Sequence, residues 1–285
     1  MKQRIITGLI ATCVLIPVLI FSDTPALPIG IALCSVIGMF EMVRCIGLQK
    51  AYVLNIPLYL LAAGLPFLVR YAGKPNTDAT DALLLKYMMV ISLAVILYFF
   101  AVMTFSHGKY KVADVCILFA VAFYILMGFN GILVLRIHRY QGHLAYLTVF
   151  LGAWITDIFA YFCGILFGRG GKHKLIPDVS PKKTVEGSVG GILFCVLTMI
   201  GFGLICNHLL NEQASLWIFA IGGLIASIVS QVGDLVMSVI KRTYGIKDYG
   251  KIFPGHGGML DRFDSIIAVS VALVAFTSFF DFFAR

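Results

Sequence analysis

Charge is what this chain has least of: Asp, Glu, Lys and Arg together make up only 13% of its 285 residues, and only 14 of them are acidic. An ordinary soluble domain carries about 25% charged residues, so a water-soluble globule of this size is excluded. Proline is scarce at 9 residues, and with 23 Phe beside 28 Gly the chain is too apolar to be disordered or collagen-like. The seven cysteines (Cys13, Cys34, Cys45, Cys116, Cys163, Cys195, Cys206) are odd in number, lie in or beside apolar stretches and never form CxxC. They read as small hydrophobes, and neither a disulfide framework nor a zinc site is implied. HExxH, GxSxG and the Walker pattern GxxxxGK[ST] are all missing, so zinc hydrolysis, serine nucleophiles and a P-loop have no support.

What the chain has instead is apolar length. Hydrophobic residues make up 60% of it, with a mean hydropathy of +0.96. Runs of roughly 18 or more apolar residues predict nine helical spans, at 5–22, 26–44, 52–70, 84–105, 113–135, 144–167, 189–210, 216–240 and 263–283. The runs are continuous, whereas a barrel strand shows about ten residues of alternating pattern. The expected fold is therefore all-α, a polytopic membrane helix bundle of about nine transmembrane helices. Lys2 and Arg4 before the first run resemble a signal peptide, but no A-x-A site follows, so an uncleaved first helix is expected.

Nine spans sort the loops into two sets, and sixteen of the 22 Lys and Arg fall on the side of the amino terminus. The positive-inside rule then places the amino terminus and both long loops in the cytoplasm and the carboxyl terminus outside. The same distribution accounts for the net charge of +8 by topology and an anionic ligand, with no need of nucleic acid. The chain divides by role into residues 1–140, five spans acting as scaffold or lipid cavity, and residues 141–285, four spans with two cytoplasmic loops.

Those loops, residues 167–191 and 241–262, carry Arg169, Lys172, Lys174, Lys182, Lys183, Lys241, Arg242, Lys247, Lys251 and Arg262. A juxtamembrane basic cluster can serve topology or acidic lipid alone. Here Gly168, Gly170 and Gly171, and Gly255, Gly257 and Gly258 around His256, let the backbone approach a ligand closely, and basic side chains beside such turns cradle phosphates.

Carboxylates supply the second clue. Asp157 lies inside the sixth span and Asp234 inside the eighth, where a charge costs about 2.5–3.5 kcal/mol at the helix centre. At about 1.5 Å per residue, Asp234 sits roughly 10 Å from Lys241, and Asp157 nearer 16 Å from Gly168. Asp261 and Asp264 flank Arg262 where the ninth span begins. Three carboxylates from three helices can converge below the cytoplasmic face, a hard-oxygen set that suits Mg²⁺. Asp157 can alternatively hydrogen-bond a neighbouring helix.

Residues 238–264, SVIKRTYGIKDYGKIFPGHGGMLDRFD, resemble the signature of phosphatidate cytidylyltransferases, also called CDP-diacylglycerol synthases. The matching positions are Ser238, Lys241, Arg242, Lys247, Asp248, Gly250, His256, Gly257, Gly258, Asp261, Arg262 and Asp264. SPKKTVEG (Ser180–Gly187) and the WITDIFAY stretch around Asp157 also resemble blocks of that family. The motifs cover residues 154–264, and nothing carries over to residues 1–140.

The resemblance implies a membrane enzyme joining CTP to phosphatidic acid, with Mg²⁺ at one or two cation sites, giving CDP-diacylglycerol and pyrophosphate. It also implies the bacterial type, a homodimer in the inner membrane. Asp234 and Asp261 are then the principal metal ligands, with Asp157 a third ligand or a partner that holds them. Lys182, Lys183, Lys241 and Arg242 would grip the triphosphate and the lipid headgroup, with Ser180, Ser238, Lys247, Gly257, Gly258 and Arg262 completing the substrate site. His256 would assist the leaving group or fix its turn. A CTP-dependent lipid kinase shares most of these features, and a cation- or proton-coupled transporter would use Asp157 and Asp234 as ion sites. A plain membrane anchor has no use for three costly carboxylates.

Overall fold

The computed structural model describes residues 2–72, 78–138, 141–168 and 173–283. Arg169, Gly170, Gly171 and Lys172 of the first long loop lie outside the described residues, as do Lys74, Arg139 and Arg285. The elements run α1 (Lys2–Ile20), α2 (Ala26–Ile46), α3 (Tyr52–Ala72), α4 (Asp78–Phe105), α5 (Val112–Arg136), α6 (Gly142–Ala145), α7 (Leu147–Phe167), β1 (Lys174–Ile176), β2 (Ser180–Thr184), α8 (Val185–Leu209), α9 (Leu216–Thr243) and α10 (Leu260–Thr277).

The all-α class holds, and a helix lies at each of the nine expected spans. By length and composition, six of the described helical stretches can cross a membrane: α2, α3, α5, α6 with α7, α8 and α9. The described apolar stretches of α1 and α4 are shorter, Thr7–Ile20 and Met89–Phe105, and α10 opens on Asp261, Arg262 and Asp264. Leu9, Phe105, Leu166, Leu209, Trp217 and Phe279 stand exposed. Such a surface is costly in water and ordinary in lipid, where helices satisfy their own backbone. The protein is an integral membrane protein.

Three differences from expectation bear on the site. The first long loop folds into an antiparallel β1–β2 hairpin with Lys174 opposite Thr184 and Ile176 opposite Ser180. Its turn is Ile176-Pro177-Asp178-Val179, where the Val179 N–H donates to the Ile176 carbonyl at 3.3 Å and Pro177 presets the second position. Helix α8 starts at Val185, four residues early, because the Thr184 hydroxyl accepts from the Gly187 N–H at 3.1 Å and caps it. Helix α10 starts at Leu260, so Asp261 stands in its first turn.

The chain forms two compact units, Met1–Ile137 with Asp248–Arg262, and His138–Lys247 with Phe263–Arg285. In the first, α2 packs on α3 and α5 around Met39, Met42, Leu54, Leu58, Leu118, Ile125 and Phe129. Helix α2 ends in a Schellman turn: Gly47 takes φ +84, and the Leu48 N–H donates back to the Val43 carbonyl at 3.0 Å. The α1–α2 turn is held by Arg136, whose Nε donates to Ser22 Oγ at 2.8 Å, and by Arg70, which donates to the Thr24 carbonyl at 2.6 Å.

In the second unit α8 packs between α7 and α9 through small residues. A Cβ on Gly191 would come within 2.9 Å of the Thr156 carbonyl, one on Gly223 within 2.9 Å of Met199 and one on Gly152 within 2.8 Å of Ala226. Helices in a membrane associate by such close approach, because apolar burial between them gains nothing over lipid. The carboxyl-terminal tail packs its rings on α9, Phe219 lying 4.7 Å from Phe282 and 5.5 Å from Phe283.

Candidate active site

The second unit gathers charge around α9. Strand β2 alternates its side chains, so of two adjacent lysines Lys182 is exposed while Lys183 turns inward. Lys183 Nζ lies 2.6 Å from Asp234 Oδ2 and donates to the Gln231 carbonyl at 3.5 Å. Ser238, one helical turn beyond Asp234, donates its hydroxyl to Asp234 Oδ1 at 3.3 Å. Asp157 of α7 accepts at Oδ2 from the Ser265 hydroxyl at 3.0 Å. Asp264 accepts from the Ser265 N–H at 2.9 Å and lies within electrostatic reach of Asp234, Asp157 and Lys241. Asp264 and Lys241 are both buried. Three carboxylates and two lysines thus share one region of a membrane-embedded unit, where each charge is tolerated only beside the others.

Within this unit the third carboxylate beside Asp157 and Asp234 is Asp264. Helix α9 runs on to Thr243, so Lys241 and Arg242 belong to its last turn rather than to a loop. Lys241 faces inward and Arg242 outward, its Nη1 donating to the Ile246 carbonyl at 3.3 Å. Ser180 is half-buried at the start of β2, and Lys247 is exposed.

Asp261 belongs to the first unit, and there it holds backbone. Its Oδ2 accepts from the N–H of Tyr249 at 2.7 Å and of Gly258 at 2.9 Å. Between them the chain makes a tight turn, Phe253-Pro254-Gly255-His256, in which the His256 N–H donates to the Phe253 carbonyl at 2.8 Å. Proline at the second position and Gly255 with φ +78 at the third give the type II arrangement, which an L side chain at that glycine would strain. Gly257 also takes positive φ, and a Cβ there would come within 2.7 Å of Asp261 Oδ2. His256 is half-buried with its Nδ1 enclosed and unpartnered. A buried ring nitrogen without a partner is suited to a ligand. Arg262 is exposed.

Two residues of this turn's surroundings escaped the sequence reading. Glu41 of α2 is 1% exposed and accepts from the N–H groups of Met259 and Leu260, each at 2.9 Å. Arg44, at the end of the second expected span, donates to the Tyr249 carbonyl. The one signal available was a carboxylate inside an apolar run, and nothing in the sequence ties it to residues so far along the chain.

The pattern that defines the cytidylyltransferase family matches residues 2–280. The chain belongs to the cytidylyltransferase family. Among its relatives are phosphatidate cytidylyltransferases of Staphylococcus saprophyticus (34% identical), Staphylococcus haemolyticus (32%) and Staphylococcus aureus (31%). Each alignment covers 94% of this chain and 96% of the relative. Family membership therefore extends through the first five spans, which the motifs had left without any match.

Among the described residues, no group of three His, Cys, Asp or Glu side chains is set to hold a metal ion by itself. Mg²⁺ does not demand such a cage, since it takes one or two carboxylates and completes its shell with water and substrate phosphate. Asp234, Asp264 and Asp157 offer hard oxygens of that kind, and their donor chemistry fits the ion.

Proposed function

We propose that this protein transfers the cytidylyl group of CTP to phosphatidic acid, releasing pyrophosphate and leaving CDP-diacylglycerol in the membrane. The observation that carries the reading is the pairing of Lys183 with Asp234 beside Asp264, Asp157 and Lys241, a mixed cluster that can meet a polyphosphate and its counter-ion. Family membership and the names of the relatives support the same substrates.

In the reaction, an oxygen of the phosphatidate phosphate attacks the α-phosphorus of CTP. The bond from that phosphorus to the oxygen bridging to the β-phosphate breaks, and pyrophosphate leaves in line. No strong base is required, because a phosphate monoester already carries about −1.5 to −2 charge at neutral pH. The protein's task is to hold two anions together and balance their charge. Mg²⁺ held by Asp234 with Asp264 or Asp157, or held by Asp261, would supply neutralisation of the phosphate oxygens. Lys183 and Lys241 bind phosphate from β2 and α9, with Lys182, Arg242, Lys247 and Arg262 drawing the anions in from solvent. Ser180 and Ser238 offer hydroxyl donors. The Gly255–Gly258 turn presents backbone N–H groups, and His256 Nδ1 is available to the leaving pyrophosphate.

All nine long helices cross the membrane in this reading, with the hairpin and the 244–259 segment cytoplasmic and the carboxyl terminus outside. The setting is a bacterial inner membrane and the assembly a homodimer. Residues 141–285 bring most of the chemistry, and residues 1–140 provide scaffold or lipid cavity.

The test is a product assay on purified protein in detergent with α-labelled CTP, phosphatidic acid and Mg²⁺, with and without EDTA. Metal-dependent label in the lipid fraction with release of pyrophosphate is the expected result. Label recovered only as CDP points to a lipid kinase, and unaltered CTP with demonstrably folded protein overturns the proposal.

A further inference from the structure

Glu41 is buried outside the charged cluster, and both of its hydrogen-bond partners belong to the 249–260 segment. Its two carboxylate oxygens accept from the N–H groups of Met259 and Leu260, each at 2.9 Å. These donors stand where α10 begins, and the first N–H groups of a helix have no acceptor within it. A carboxylate there also meets the positive end of the helix dipole. Helices usually find this cap within a few residues of their own start, but here it comes from 218 residues away.

The fit around Glu41 is close. A Cβ on Gly250 or Gly258 would overlap its carboxylate, so both glycines are required by this side chain whatever else they do. Arg44, three residues on and therefore on the same face of α2, donates to the Tyr249 carbonyl. One face of α2 thereby grips both ends of the segment, while Asp261 ties Tyr249 to Gly258.

We infer that Glu41, assisted by Arg44, is a positioning residue for the turn that carries His256 and for Asp261, setting them for phosphate chemistry without touching substrate. The inference rests on the proposed function, in that the turn is taken to serve cytidylyl transfer. An amide cannot replace the carboxylate here. Glutamine keeps one acceptor but turns an N–H₂ group toward a second N–H donor, so one of the two bonds is lost.

The experiment compares the full chain in detergent with Glu41→Gln and with Leu58→Ala, a core truncation in α3. Readouts are kcat, KM for CTP, the thermal midpoint, and hydrogen exchange of the peptide covering 249–260. Expected for Glu41→Gln is a kcat lowered about 10- to 100-fold, CTP KM little changed, and faster exchange concentrated in that peptide. Leu58→Ala is expected to lower the midpoint at least as much while keeping kcat. Should Glu41→Gln fail to fold, Arg44→Met must show the same pattern of lost kcat and local exchange. Wild-type kcat in a folded variant, a loss no greater than that of Leu58→Ala, or unchanged exchange overturns the inference. An inactive wild type counts against the proposed function, and the exchange measurement then decides the clamp alone.

Discussion

Lys183 and Asp234 are 2.6 Å apart, so whatever cation comes to Asp234 must share it with, or displace, an ammonium already there. A lysine released in that way is free to turn to phosphate. Lys183→Ala is therefore expected to raise the KM for CTP about 10-fold, the worth of one charge-assisted hydrogen bond, and an unchanged KM would leave this lysine a topological charge only. Asp261→Asn is expected to keep the protein in the membrane and lower the rate at least about 10²-fold. A variant retaining more than a tenth of wild-type activity removes Asp261 from the catalytic machinery. At this scale Asp157 and Asp234 stood out because apolar runs rarely contain acids, and Asp261 because it sits in the signature stretch, whereas Glu41 in the second apolar run was passed over. The sequence could not separate Lys182 from Lys183, since only the pleat of β2 decides which of two neighbours turns inward. It also could not show that Asp261 holds two backbone N–H groups, because those donors come from a turn whose path no local pattern specifies.

Among the elements, α8 depends most visibly on a single side chain. Thr184 ends the hairpin and caps the helix with one hydroxyl, so Thr184→Ala is expected to cost about 1 kcal/mol, while Thr184→Ser is expected to restore it. A thermal midpoint unchanged by the alanine would show that the hairpin, not the cap, sets the start of α8. The Gly-rich end of the first loop was read as loop, and it is the opening of this helix. Glycine there signals close packing on α7 as readily as a flexible turn, and composition alone does not choose between the two. Long apolar runs, by contrast, predicted helices at every span, because in a bilayer the backbone has no other way to satisfy itself.

For the whole molecule, the signature stretch is shared between units: Asp248–Arg262 belongs with the first five long helices, and the residues on either side belong with the rest. The motif content did not suggest this grouping, since motifs report residues and not the unit they join. Orientation makes a further prediction. Asp178 lies exposed in the hairpin turn, so a cysteine placed there is expected to react with an impermeant maleimide in inverted vesicles and not in right-side-out ones. The opposite pattern would reverse the whole arrangement.

The grip of Glu41 on Met259 and Leu260 also sets a timetable for biogenesis. With synthesis at about 5–20 residues per second, the 218 residues separating acceptor and donor take roughly 10–45 s to appear. During that interval α2 has entered the membrane with an acid whose final partners do not yet exist. A chain that stops anywhere before the start of α10 therefore leaves Glu41 without the two N–H groups it holds in the folded protein.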